Sequence, residues 1–239
     1  MAKGRLWFSF VIKSGAMIVL IESSAEFPSV ALCNVQGDVL WDEVGTDKQS
    51  HAEKLPMMVQ RAVEFVQAQG ASIVAIAFQE GPGSYTGLRI GVSLAKGLCY
   101  GLSVPLISIS GFECLGKKSL EKYADCTEAW VMMDARRDEV YALRCNLVGA
   151  MGAVSAQILP SEAVVGYGSH TVFVGNANEK VKRLLQADDS LFWDESPRAS
   201  HMAVAAAEKY GHGAFVDLAY YEPFYLKDFV AGVSKKFSI

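Results

Sequence analysis

The chain has no CxxC pair, no HExxH or HxxxH spacing, and no apolar run approaching the ~20 residues with which a helix crosses a bilayer. Its five cysteines (Cys33, Cys99, Cys114, Cys126 and Cys145) are odd in number and widely separated. That argues against a disulfide framework and for reduced thiols, with the cytoplasm as the expected compartment. The four histidines, His51, His170, His201 and His212, are scattered without metal-ligand spacing, so each is read as a surface or core residue and no metal site is expected. Positive charge is also short, with 22 Lys and Arg against 26 Asp and Glu, a formal net charge of −4. A chain that neutralises a phosphate backbone needs clustered cations, so any RNA is expected to be held mostly by another molecule.

What is present is a large apolar fraction, 51% of 239 residues with only 20% charged, enough to bury the core of one large domain or two small ones. Residues 1–16 need separate treatment. Lys3 and Arg5 precede an apolar run over 6–12 that imitates a signal peptide, but the run is at the lower length limit, Lys13 breaks the apolar pattern, and Met17 stands directly before a core strand. An N-terminal extension or an upstream start is the favoured reading over secretion.

Apolar periodicity predicts strands over 17–21, 29–35 and 39–44, with a tight turn at Gln36-Gly37-Asp38. Ser50-His51-Ala52-Glu53 has the capping-box pattern and starts a helix over 51–66, with Leu55, Met58, Val59, Ala62, Val63 and Val66 on one apolar face and Pro56 predicting a local kink. A strand over 73–78, a helix over 86–100 and a strand over 104–109 come next. After a helix over 112–122 the layout repeats, with strands at 129–133, 139–145 and 153–159, a short helix at 161–165, a strand at 171–174 and a helix at 178–186. The pattern is a duplicated α/β unit, with a helix over 201–210 and the C-terminal tail returning to the first copy.

The most informative stretch runs from Gln79 through Glu80, Gly81, Pro82, Gly83, Ser84, Tyr85, Thr86, Gly87, Leu88, Arg89 and Ile90 to Gly91. A glycine-rich strand-to-helix turn offers free N–H groups to an anion, yet it lacks the Gly-Lys-Ser/Thr ending of a phosphate loop. Gly87, Gly91, Gly97 and Gly101 each cost about 1 kcal/mol relative to Ala inside a helix. Gly87, Gly91 and Ala95 share one flank, which admits the close approach of another backbone, either the protein's own sheet or a partner chain.

Gly81-Pro82-Gly83-Ser84-Tyr85-Thr86-Gly87-Leu88-Arg89-Ile90-Gly91 closely resembles the signature of the TsaB (YeaZ) family. Ile21-Glu22-Ser23-Ser24 resembles that family's opening strand and loop, and His51-Ala52-Glu53-Lys54-Leu55 its first helix. Met133-Asp134-Ala135-Arg136-Arg137-Asp138-Glu139-Val140-Tyr141 resembles its second-half strand pair, and Pro223-Phe224-Tyr225-Leu226-Lys227 its C-terminal end. The resemblance is specific in the first half and weak over 149–199. It implies an ASKHA fold, actin-like or RNase H-like, of two similar subdomains, each a mixed sheet flanked by helices. The expected division is an extension at 1–16, one subdomain over 17–110 joined by 200–239, and a second over 111–199.

The resemblance further implies a non-catalytic scaffold for a TsaD-like enzyme that transfers threonylcarbamoyl to the adenosine beside the anticodon. A TsaE-like ATPase joins the pair, the chain forms a homodimer when alone, tRNA contact is indirect and no membrane is involved. The implied partner interface comprises His51, Leu55, Met58, Val59, Ala62, Thr86, Gly87, Ile90, Gly91, Leu94, Ala95 and Leu98. A vestigial nucleotide site is implied at Glu22, Ser23, Ser24, Asp134, Arg136 and Gly175, with no cofactor required and weak ATP and Mg binding left open. Glu22 stands where active relatives of the fold carry Asp, and Gly175-Asn176 lacks a second glycine. Arg136 and Arg137 either bind an anion or pair with Asp138 and Glu139. The rivals are an independent ATPase or kinase of the same fold and a glycoprotease-like peptidase, for which no Ser-His-Asp set assembles from the sequence.

Overall fold

The computed structural model describes residues 15–46, 51–165, 167–168, 170–186 and 190–226. The expected extension before residue 15 and the Ser50 hydroxyl of the capping box lie outside the described residues. The first half contains β1 (Ala16–Glu22), β2 (Ser29–Asn34), β3 (Val39–Val44), α1 (His51–Ala68), β4 (Ser72–Gln79), α2 (Tyr85–Leu102) and β5 (Leu106–Ile109). The second contains α3 (Gly111–Lys122), β6 (Glu128–Asp134), β7 (Glu139–Asn146), β8 (Ser155–Ile158), α4 (Glu162–Val165), β9 (Thr171–Val174), α5 (Asn178–Leu185) and β10 (Leu191–Trp193). A 3-10 turn (Ala199–Met202) and α6 (Ala203–Gly211) complete the order.

The two sheets have the same plan. In the first, ordered β3-β2-β1-β4-β5, an antiparallel meander β1-β2-β3 is extended by β4 and β5, parallel to β1. In the second, ordered β10-β9-β6-β7-β8, the meander is β6-β7-β8, and β9 and β10 run parallel to β6. Strand β10 has no counterpart among the strands expected from periodicity, because three residues are too few to display a period. It takes the place that β5 takes in the first copy, so the duplication is complete.

Helices cover both faces of each sheet, which is why β1 reads as an unbroken apolar run. Val19 and Ile21 face Leu55, Met58, Val59 and Ala62 of α1 and Leu88, Val92 and Ala95 of α2. Ile18 and Leu20 face Met202, Ala203 and Ala206 on the opposite side. In the second sheet, Phe112, Leu115 and Leu120 of α3 pack on Val131, Met133 and Leu143, while Val164 and Val181 pack on Trp130, Met132 and Phe173. Cys114 of α3 also enters the core of the first sheet, so this helix joins the halves.

The helix expected over 201–210 begins earlier, as the 3-10 turn, because the Ala199 N–H donates to Ser29 Oγ at 2.8 Å with both groups buried. Beyond α6, Val216 bridges antiparallel to Leu106 at the outer edge of β5, and Leu218, Tyr221 and Tyr225 pack on the α1 and α2 side of the core. Burial pushes the thiols of Cys33, Cys99, Cys114 and Cys145 up to about 12, so these act as small apolar core residues. Among the described residues no helix is long and apolar enough to cross a membrane.

Ser29→Ala orphans the buried Ala199 N–H, a loss of about 1–3 kcal/mol. Thermal unfolding of the variant is expected to show a lower midpoint; an unchanged midpoint would mean that the turn finds another acceptor.

Candidate functional site

The C-terminal ends of β1 and β6 face each other across a cleft of about 1150 Å³. On the first wall, β1 delivers Glu22 at its last position, fully buried. Its Oε1 accepts from Ser24 N at 2.7 Å, Ser24 Oγ at 2.6 Å and Ala25 N at 3.0 Å. The carboxylate therefore closes a loop on itself, and Ser24 and Ala25, not Glu22, line the cleft. Burial pushes the Glu22 carboxyl up to about 7, against the opposing pull of the Ser24 and Ala25 hydrogen bonds. Gln79, to which sequence reasoning assigns no role, is also fully buried and donates from Nε2 to Ser24 Oγ at 2.8 Å, while its Oε1 accepts from Gly81 N. The one available signal was a polar side chain ending an apolar strand immediately before the glycines.

The glycine-rich turn is clamped onto this loop. Ser84 N donates to Ser24 O at 2.8 Å, and Ser84 caps α2 by accepting from Gly87 N at 3.2 Å. A Cβ at Gly87 would stand 2.0 Å from Ser23 O, and one at Gly91 would stand 2.1 Å from Ser23 Oγ and 2.7 Å from Phe78. These contacts give part of the interface expected from the sequence an internal role. The flank carrying Gly87, Gly91 and Ala95 is sealed against the protein's own first loop and sheet, and Leu55, Met58, Val59 and Ala62 are equally committed to the core. His51 is buried too; its Nε2 lies 3.0 Å from Ala25 O, and burial lowers its pKa. Of the residues expected at the interface, Thr86 is exposed and Ile90 half-buried where α2 borders the cleft, and Leu94 and Leu98 are half-buried at the edge of the core beneath α2.

On the facing wall, Asp134 is taken up by Lys180 as an ion pair and accepts from Arg136 N at 3.2 Å, while its own N–H donates to Asn176 Oδ1 at 2.7 Å. Asp138 pairs with Arg183 at 3.5 Å, not with either neighbouring arginine. Arg136 and Arg137 both adopt left-handed backbone conformations, φ 71° and 50°, line the cleft, and form no ion pair among the described residues. At Gly175, placed in the expected nucleotide site, a Cβ would lie 1.9 Å from Met132 O, so its bareness serves the close approach of the chain after β9 to β6. Glu22, Ser23 and Gly175 thus serve internal closure, whereas Ser24, Asp134 and Arg136 reach the cleft. Among the described residues no three His, Cys, Asp or Glu side chains gather as a metal site.

The raised carboxyl makes stability depend on pH. Because the folded chain holds the Glu22 proton more tightly than the unfolded chain, whose value is near 4.5, this contribution to stability is complete below about 4.5 and declines as pH rises towards about 7. The span corresponds to on the order of 3 kcal/mol. Glu22→Gln is expected to melt above the natural chain at pH 8, with the difference narrowing towards pH 5; a pH-independent difference would show that the carboxyl does not titrate in this window. Gly91→Ala should cost the isolated monomer about 1–3 kcal/mol through overpacking on Ser23. A melt equal to that of the natural chain would contradict the close approach.

A family profile described as TsaD, tRNA N6-adenosine threonylcarbamoyltransferase, matches residues 45–235. The tRNA threonylcarbamoyladenosine biosynthesis protein TsaB of Escherichia coli (strain K12) is 28% identical over 224 residues, covering 90% of this chain and 96% of that relative. TsaB of Bacillus subtilis (strain 168) is 28% identical over 148 residues, 62% of each chain. Among solved structures, YeaZ from Pseudomonas aeruginosa has a TM-score of 0.71 at 25% identity, covering 88% of this chain and all (100%) of that one. A second Pseudomonas aeruginosa protein, described as similar to the peptidase YEAZ, has a TM-score of 0.73 at 24% identity over 90% of this chain and 100% of its own. The paired sheets are those of an ASKHA-like fold. With four-fifths of its length inside the TsaD profile and a TsaB relative matched nearly end to end, the chain belongs to the TsaB (YeaZ) branch of the TsaD family.

Proposed function

We propose that this chain acts in the biosynthesis of threonylcarbamoyladenosine in tRNA as a subunit that performs no transfer chemistry itself and docks on a TsaD-type transferase. The relatives named TsaB are proteins of that biosynthesis. The non-catalytic reading is supported by Glu22: a carboxylate sealed beneath its own loop cannot reach a ligand in the cleft without opening that loop.

The observation that carries the docking is on the outer side of α2. Gly97 lies in the interior of this 18-residue helix, is exposed, and has nothing within 4 Å of where a Cβ would stand. It costs about 1 kcal/mol relative to Ala, and unlike Gly87 and Gly91 it has no internal neighbour to account for it. Thr86, Ile90, Ser93, Leu94, Gly97 and Gly101 form one stripe at spacings of three and four. Met57, 55% exposed, stands on α1, which packs beside α2 on the same core. This stripe accepts a helix of the transferase at close range, and pairs two copies of the chain when the transferase is absent. A TsaE-type ATPase joins the assembled pair, tRNA is held by the transferase, and the whole works in the cytoplasm.

The chain and a TsaD-type protein from the same source are expected to co-purify, and depletion is expected to remove threonylcarbamoyladenosine from tRNA as read by nucleoside mass analysis. Failure to associate, together with unchanged tRNA, would remove the proposal. Gly97→Glu should abolish association while leaving the melting midpoint of the isolated chain unchanged.

A further inference from the structure

After α6 the chain runs as a strap over one end of the first sheet. Val216 N donates to Leu106 O at 3.0 Å and so closes the outer edge of β5. The Asp217 carboxylate then accepts from Ala219 N at 2.8 Å and Tyr220 N at 3.1 Å, turning the strap back towards the glycine-rich loop. There Ser108 Oγ donates to Glu80 Oε2 at 2.5 Å. With the single Ser108 hydroxyl proton so committed, the Tyr221 hydroxyl, 3.0 Å away, donates to Ser108 Oγ. Lys209 of α6 holds the Ser108 carbonyl at 2.6 Å. The strap next crosses the loop itself: Phe224 N donates to Glu80 O at 2.7 Å, and the Phe224 carbonyl stands 2.6 Å from where a Cβ of Gly81, at φ +107°, would be. The Tyr225 ring meets Tyr85, the first residue of α2, at 5.0 Å, and the Arg89 guanidinium lies over the Tyr85 ring, 5.0 Å from its centroid.

We propose that Tyr221 and Ser108 are positioning residues: their hydroxyl pair clasps the C-terminal strap over the glycine-rich loop and thereby fixes the first turn of α2, where the docking stripe begins. Glu80 is the hinge of this arrangement, since its side chain receives the clasp and its carbonyl receives the strap. Neither hydroxyl lies on the outer stripe of α2, so their effect on a partner passes through the loop. The consequence for docking rests on the function proposed above; the clasp does not.

The test uses the full chain and its Tyr221→Phe variant, which keeps the ring and removes only the hydroxyl. Amide exchange read by mass spectrometry over 80–90 is expected to accelerate about three- to tenfold, the fold-change of one hydrogen bond, while β1 keeps its protection. Ser108→Ala should act in the same direction, and the double variant should be no faster than the more affected single one, because both remove a shared interaction. Unchanged exchange over 80–90 overturns the clasp, as does a uniform acceleration through both sheets, which would make Tyr221 a general stability residue. Affinity for the TsaD-type protein should fall by a similar factor, and faster loop exchange with full affinity overturns the link to docking. If the natural chain itself does not bind, the functional reading falls, and exchange over 80–90 still decides the clasp.

Discussion

A missing methyl group under one helix is the constraint on which the rest of the first unit depends. The Ser23 carbonyl and hydroxyl occupy the positions where Cβ atoms of Gly87 and Gly91 would stand. With Ser23 seated there, Ser24 comes under Gly83 and Ser84, and the Glu22 carboxylate folds back on the backbone of its own loop. Helix and loop lock each other, because neither can move outward without opening a space that water would have to fill around a buried acid. The loop after β1 is thus held beneath α2, with Ser23 fully buried and Ser24 and Ala25 at the cleft.

The duplication makes the asymmetry of the cleft informative. β1 and β6 hold equivalent places in their sheets, and ligands of open α/β sheets gather beyond the carboxyl ends of such strands. On the β1 side the space is filled by the glycine-rich turn. On the β6 side, Arg136 and Arg137 line the cleft and form no ion pair among the described residues. One wall of the cleft is closed by internal packing, while the other carries charged residues. On α2 itself, Gly97 and Gly101 are the glycines that the chain's own packing does not account for.

Closure also changes the meaning of the chain's last described residues. The strap covers the edge that β5 would otherwise leave unpaired, a place where sheets are prone to pair with other chains. Because it then crosses the loop and ends against Tyr85, the edge of the sheet, the glycine-rich turn and the start of α2 form one mechanical unit.

Sequence alone carried most of the architecture, because the signals there are local. Alternation and helical spacing are readable wherever an element is longer than its own period, so β1, α1, α2 and β9 fall within one or two residues of their expected bounds, and the repeated meander was legible as a repeat. Strand β10 was not, being only three residues long. The glycines and small residues of α2 announced that some backbone approaches closely, but a bare helix flank looks the same from sequence whether the neighbour is the protein's own loop or another chain. Only the tertiary structure separated Gly87 and Gly91, whose missing side chains make room for Ser23, from Gly97, which has no neighbour within 4 Å of where a Cβ would stand. It likewise decided that Glu22 faces inward and that Arg136 and Arg137 stand free of Asp138, since the direction of a side chain at a strand end depends on contacts made tens of residues away.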